Sequence, residues 1–243
     1  MPAGVVLGNT QCVLMGDLSL IALGGGKYGS TKVCQVCRDG RVVFLPSMTT
    51  AKVKFGVVQV KGRLFIFGGE HGANELSASE ALNLSLSPLR KWVSQGSMLS
   101  SRADFTPAAY RNCIYLCGGG TPQCEVYDLI TRSFQPIDIE LPLRAAACAL
   151  CYGDELILLT PEVNFCYNID TMKVKWAIPH PHCRVSYIMR PVLRRKWLFC
   201  PAISTLESVS YGNIYTLPEH HHVQTLFYGS LADMSQLTDS AAN

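Results

Sequence analysis

The sequence is poor in charge. Asp, Glu, Lys and Arg make up 16% of its 243 residues, against roughly 25% in an average soluble domain, while the apolar share is 48%. That balance excludes an intrinsically disordered chain, which combines low hydrophobicity with high net charge. Long apolar runs are lacking too. The longest, residues 145–152, has eight residues between Arg144 and Gly153, far short of the ~18 that a membrane helix needs. The N-terminus has no basic start followed by an apolar stretch, so no secretory leader is expected and the chain is placed inside the cell, in cytoplasm or nucleus. Runs of Lys and Arg are missing as well. The net charge is +3 and the densest basic cluster is Arg194-Arg195-Lys196, which suits a solvated turn better than a nucleic-acid surface. No membrane partner is expected either.

The motifs of common catalytic sites are also absent. There is no G-x-S-x-G, no H-E-x-x-H and no phosphate loop, since Gly24-Gly25-Gly26-Lys27 lacks the required spacing. Cysteine, in contrast, is plentiful, but the count of eleven is odd and the chain is not small. Reduced thiols, mostly buried as small apolar residues, are therefore expected rather than a disulfide framework. Cys34-x-x-Cys37 and Cys148-x-x-Cys151 have the spacing of metal or redox pairs. Both fall in predicted strands, where residues three apart face opposite sides. His180, His182 and Cys183 form one candidate metal cluster and His220-His221-His222 another. The plainer reading of each is an exposed loop, because consecutive histidines converge on a metal only within a shaped surrounding shell. No cofactor is expected.

What the sequence does contain is a repeat. A strand, a tight polar turn, a second strand and a glycine doublet recur at residues 10–26, 55–70 and 108–120, with doublets at Gly24-Gly25, Gly68-Gly69 and Gly118-Gly119. Two further copies, 148–162 and 186–202, keep the hairpin and lose the glycines. The spacing of 41 to 50 residues lies near the period of propeller blades. The second half of each unit repeats as well. In 124–134 and 165–176 an alternating strand meets a turn with Asp or Asn followed by Thr, and an aromatic residue opens a further strand. In 80–92, Glu80 matches Glu125, Asn83 matches Asp128 and Trp92 matches Phe134. Shorter hairpins are expected at Asp39-Gly40, a type I′ signal, and at Gly212-Asn213. The fold class is thus all-β, with about five four-stranded antiparallel blades at 10–46, 53–97, 104–139, 145–179 and 184–218 in one domain. Residues 219–243 are left as a tail or the start of a further blade.

On these residues the chain resembles the kelch-repeat family. The likeness rests on the apolar strand ending in Gly-Gly, on Tyr127-Asp128 after Glu125, and on the later Trp92 and Trp176. A basic residue before the first strand recurs in Met48-x-x-x-Lys52 and Met98-x-x-x-Arg102, with echoes at Arg144 and Arg184. The resemblance implies a β-propeller that acts as a non-catalytic protein-interaction module, an adaptor or scaffold subunit. It also implies that basic residues at these entry positions hold a protein or an acidic peptide on the loop face. The expected contacts are Lys52, Arg102, Arg144 and Arg184, joined by Glu70, His71 and Asn74 from the long loop after the second doublet. Two readings of the basic residues stay open. Arginine suits bidentate contacts with a ligand carboxylate, and it equally suits a structural bridge between blades. The functional alternative is an enzyme with a propeller-centre site, using zinc or copper at the histidine clusters.

Overall fold

The computed structural model describes residues 10–26, 29–86, 91–141, 147–160 and 163–179, together with the strands within 187–228. All regular elements among them are strands. The chain divides into two compact units, one of residues 1–145 with 149–153, the other of residues 146–148 with 154–243.

The first unit is built from three four-stranded antiparallel sheets. The first has β1 (Thr10–Leu14), β2 (Leu20–Gly24), β3 (Val33–Val36) and β4 (Val42–Leu45) in chain order. The second has β5 (Gly56–Val60) and β6 (Arg63–Phe67), then a separate two-stranded hairpin of β7 (Glu70–His71) and β8 (Asn74–Glu75), then β9 (Ala78–Asn83) and β10 (Trp92–Ser97), in the order β5-β6-β9-β10. After the short β11 (Phe105–Thr106) comes the third, with β12 (Ala108–Tyr110), β13 (Cys113–Leu116), β14 (Gln123–Asp128) and β15 (Ser133–Glu140). Turn chemistry sets these registers. Lys61 and Gly62 both have positive φ between the paired Val60 and Arg63, the condition for a two-residue type I′ hairpin. At Asp39-Gly40 the expected type I′ turn is replaced. Only Gly40 is left-handed, and Cys37 and Arg41 close a three-residue loop through Cys37 N–H to the Arg41 carbonyl, a type I turn with a glycine bulge.

Alternation in these strands gives each sheet two apolar faces, and the cores lie where successive sheets meet. Val13, Ile21, Leu23, Val33 and Leu45 of the first sheet pack with Val57, Leu64, Ile66, Leu82 and Trp92 of the second. The other face of the second sheet, with Val58, Phe65, Phe67 and Ala81, packs with Ile114, Leu116 and Tyr127 of the third. Tyr127 and Phe134 lie 4.7 Å apart between ring centroids, close enough for aromatic contact beyond simple burial.

The second unit carries most of a fourth sheet of the same make. Its strands β16 (Ala147–Tyr152), β17 (Glu155–Leu159), β18 (Val163–Asn168) and β19 (Val174–Pro179) follow in chain order, with β11 as a fifth strand beside β16. The turn between β18 and β19 reproduces that between β14 and β15. Asn168 Oδ1 accepts from Thr171 N–H as Asp128 Oδ1 does from Thr131 N–H, and Met172 and Arg132 follow with positive φ.

Four sheets repeat this propeller-like blade pattern, not five. The region expected to be a fifth blade is built differently. Its first strand is split into β20 (Tyr187–Ile188) and β21 (Val192–Arg194), both pairing with β22 (Trp197–Ser204), which is followed by β23 (Val209–Thr216) and β24 (His222–Tyr228). The expected hairpin at Gly212-Asn213 is instead the middle of β23, opposite Pro201 and Cys200. Val, Tyr, Ile and Thr on either side of the pair favour an extended strand, and the two-residue turn signal yields to them. β22 runs on through Cys200 and Pro201 to Ser204, and residues 222–228 belong to this sheet rather than to a tail.

Candidate functional site

The two basic entry residues that the structure describes are buried in ion pairs. Lys52 is 2% exposed, and its Nζ donates to Glu80 Oε1 at 2.9 Å. The other oxygen of Glu80 accepts from Thr49 Oγ1 at 2.8 Å and from Thr49 N–H at 3.2 Å. Arg102 is 1% exposed. Its Nε donates to Glu125 Oε1 at 2.9 Å, Nη1 to the Gly118 carbonyl at 2.8 Å and Nη2 to the Gln123 carbonyl at 2.6 Å. Glu125 Oε2 accepts from Leu99 N–H at 2.7 Å. The two arrangements are repeats of each other: in both, the residue after a buried methionine (Met48, Met98) anchors one carboxylate oxygen and the cation four after that methionine takes the other. A buried pair is stable only when its remaining donors and acceptors are satisfied; here both oxygens of Glu80 and of Glu125 accept, and all three side-chain nitrogens of Arg102 donate.

Of the two readings of these residues, the geometry displays the structural one. Lys52 and Arg102 brace the entry of their sheets, and neither presents a charge to solvent. Arg144, Arg184, His180, His182, Cys183 and His221 lie outside the described residues. The braces explain the doublets too. A methyl built on Gly68 would lie 2.2 Å from the Arg102 carbonyl oxygen, and one on Gly69 would lie 2.7 Å from that of Val53. The doublet thus runs between the entry segments of the second and third sheets, with Gly69 N–H donating to the Arg102 carbonyl at 2.8 Å.

One group of exposed polar residues of the first unit lies at the sheet entry that Lys52 braces. Glu70, His71 and Asn74 sit on the β7–β8 hairpin, whose residues 71–75 are all exposed. Its base is tied to the entry of the second sheet by paired backbone hydrogen bonds between Val53 and Glu70. His71 Nδ1 lies 2.7 Å from the Ala51 carbonyl, as a donor. Glu70 Oε1 accepts from Lys54 Nζ at 3.0 Å, and this bond is the main reason the Lys54 ammonium is held above its ordinary pKa. Asp104 N–H donates to the Lys54 carbonyl at 2.8 Å. Burial pushes the Asp104 carboxyl up, Lys54 opposes that shift and Glu70 adds to it. Glu75 faces Gly120, where a built methyl would lie 3.3 Å from its carboxylate. Lys54 and Asp104 both hold positive φ, 54° and 60°, a conformation that residues with side chains adopt at a cost.

The described loop groups are thus mainly acidic: Glu70, Glu75 and Asp104 around Lys54. Sequence reasoning placed Glu70, His71, Asn74 and Glu75 on one loop, where the hairpin lies, and it did not single out Lys54 or Asp104. The signal that could have found the braces was present. Glu80 and Glu125 occupy matched positions, and so do Lys52 and Arg102, which makes two pairs of opposite sign in register. Both described cysteine pairs of C-x-x-C spacing are free thiols. Among the described residues no group of three or more His, Cys, Asp or Glu is placed to hold a metal, and no helix is long and apolar enough to cross a membrane. No family model matches the chain, and no curated protein shows significant similarity to it.

Proposed function

We propose that this protein is a non-catalytic interaction module of the kelch-like propeller type, serving as an adaptor or scaffold subunit that binds a protein or peptide segment. The observation that carries the reading is the β7–β8 hairpin: five consecutive exposed residues standing on a base that is hydrogen-bonded to a braced sheet entry. Loops held by a rigid scaffold are where binding residues concentrate. A short hairpin of fixed geometry gives up little entropy when it is captured.

The sign of the partner follows from the charges at hand. Lys52 and Arg102 are spent on Glu80 and Glu125, so an acidic ligand has little to pair with there. Glu70, Glu75 and Asp104 favour a partner segment bearing Lys or Arg, steered by opposite charge and weakened by salt. Affinity purification with mass spectrometry, run on wild type beside a Glu70→Lys/Glu75→Lys double variant, tests this. Proteins captured by wild type are expected to be lost from the variant at unchanged melting temperature. An identical set of captured proteins from both would refute the assignment of the hairpin.

A further inference from the structure

Cys117 directly follows the last residue of β13, and Cys124 lies on β14, one step past the final pair of their ladder. The β13–β14 register ends with Leu116 opposite Glu125, so the next pair along the ladder is Cys117 with Cys124. The class of that pair can be worked out. Leu129 N–H donates to the Asn112 carbonyl, which makes 112/129 a hydrogen-bonded pair. Alternation along an antiparallel ladder then makes 114/127 and 116/125 hydrogen-bonded, and 117/124 a non-hydrogen-bonded pair. In such pairs the Cα atoms are about 4.5 Å apart and the side chains are at their closest. A disulfide spans Cα separations of about 4.4–6.8 Å, so the backbone already stands at bridging distance.

Three further features single out this pair. Both thiols are buried, at 0% and 1% exposure, and both are free. The Cys124 side chain is the main reason, ahead of burial, that the Cys117 thiol is held well above its usual range. Their backbone neighbours, Gly118 and Gln123, are the two residues whose carbonyls Arg102 grips, which clamps the ladder beside the sulfurs. The matched positions in the other three sheets are Leu23/Val33, Phe67/Ser79 and Leu159/Asn164. Only the third sheet places two thiols there.

We propose that Cys117 and Cys124 form a redox-active dithiol that closes to a cross-strand disulfide, with a small peroxide as oxidant. One thiolate attacks a peroxide oxygen, breaking the O–O bond, to give a sulfenic acid and one water. The second sulfur then attacks the sulfenic sulfur, forming the S–S bond and expelling hydroxide, which leaves as water after taking up the remaining thiol proton. Two thiols lose two electrons and two protons, and hydrogen peroxide is reduced to two waters. Hydrogen peroxide is close to water in size. The segment that joins the pair, 118–122, contains three consecutive glycines in left-handed conformation. Burial and the raised thiol pKa make the first step slow, since the thiolate is the reactive species; bond geometry favours the product once it forms.

The test uses the full chain. Residues 112–132 contain no internal Lys or Arg and hold Cys113, Cys117 and Cys124 on one tryptic peptide. Native protein is treated with hydrogen peroxide, acid-quenched, denatured, alkylated and digested. The expected peptide has lost two hydrogens, carries one alkyl group, and fragments with that group on Cys113; dithiothreitol before alkylation restores three alkyl groups. Cys113 lies four residues from Cys117 along the strand, about 13 Å, too far to bridge to either partner. Three alkyl groups after peroxide, an alkyl group found on Cys117 or Cys124, or a cross-link from this peptide to the one holding Cys151 would each overturn the proposal. In Cys113→Ser protein the loss of two hydrogens is expected to persist with no alkyl group left on the peptide.

Discussion

The second and third sheets share a device that the described residues of the first and fourth do not repeat. In the former, a buried cation meets Glu80 or Glu125 at the position opposite Ile66 or Leu116. The same register position holds Cys34 in the first sheet, opposite Ala22, and Phe165 in the fourth, opposite Leu158. The exit differs as well. The doublets of the second and third sheets thread against neighbouring backbone, whereas the fourth replaces them with Thr160, whose Oγ1 donates to the Val163 carbonyl at 2.6 Å and accepts from Val163 N–H at 3.2 Å. In the first sheet an open cavity of about 270 Å³ is bordered by Ala22, Gly24, Lys32, Cys34 and Phe44. The difference shows that the repeat does not need a charged brace at this position; the fourth sheet carries an ion pair elsewhere, from Lys175 Nζ to Oε1 of the buried Glu155. The brace is an added specification of the second and third sheets.

The largest effect that would separate the two kinds of sheet comes from Glu125→Ala. It strands the Arg102 guanidinium in a site with 1% exposure, and losing one partner of a buried pair costs about 3–5 kcal/mol. Urea denaturation should show a fall of that size, while Phe165→Leu, at the matched position of the fourth sheet, should stay below about 1.5 kcal/mol. Equal losses at both positions would erase the distinction. Next comes Gly68→Ala. It adds a methyl 2.2 Å from a carbonyl oxygen at a φ of 59°, and a loss of roughly 2–4 kcal/mol is expected from clash and strain together. Gly72 has similar φ and open space around it, so Gly72→Ala should cost only about 1 kcal/mol. A similar cost for both would show that φ alone, and not the close approach, demands glycine.

The smallest effect concerns pH. Burial raises the Asp104 carboxyl in the folded protein, so the native state binds its proton more tightly than the unfolded chain does. Stability from this group is present below the unfolded value of about 3.9 and is lost as pH rises through the folded value. Asp104→Asn should therefore melt slightly higher than wild type at pH 7, by an amount that shrinks as the pH falls towards 4. A constant difference across that range would assign the effect to the amide itself.

Much of this architecture was legible. The strands of the first four sheets, the doublets and the Asp/Asn-Thr turns all follow from local chemistry: alternation, left-handed glycine and side-chain acceptors two or three residues back. The last sheet was misread because Gly212-Asn213 is a strong turn signal only when its flanks are weak strand formers, and Tyr211 and Ile214 are not. The role of Lys52 and Arg102 was legible only in part. Their recurrence was visible, yet a charge read alone suggests solvent and ligand; it takes the matched recurrence of Glu80 and Glu125 to turn it inward. Cys117 and Cys124 look unrelated in sequence, because the register that opposes them depends on a seven-residue separation closed by three glycines.

The account stands most directly on whether the entry cations are braces. A double-mutant cycle on Lys52→Met and Glu80→Leu, read by urea denaturation, measures this. Each single change should cost about 3–5 kcal/mol, and the double should lie close to wild type, because apolar replacement of a whole buried pair is often neutral. Singles within about 0.5 kcal/mol of wild type that simply add in the double would contradict it.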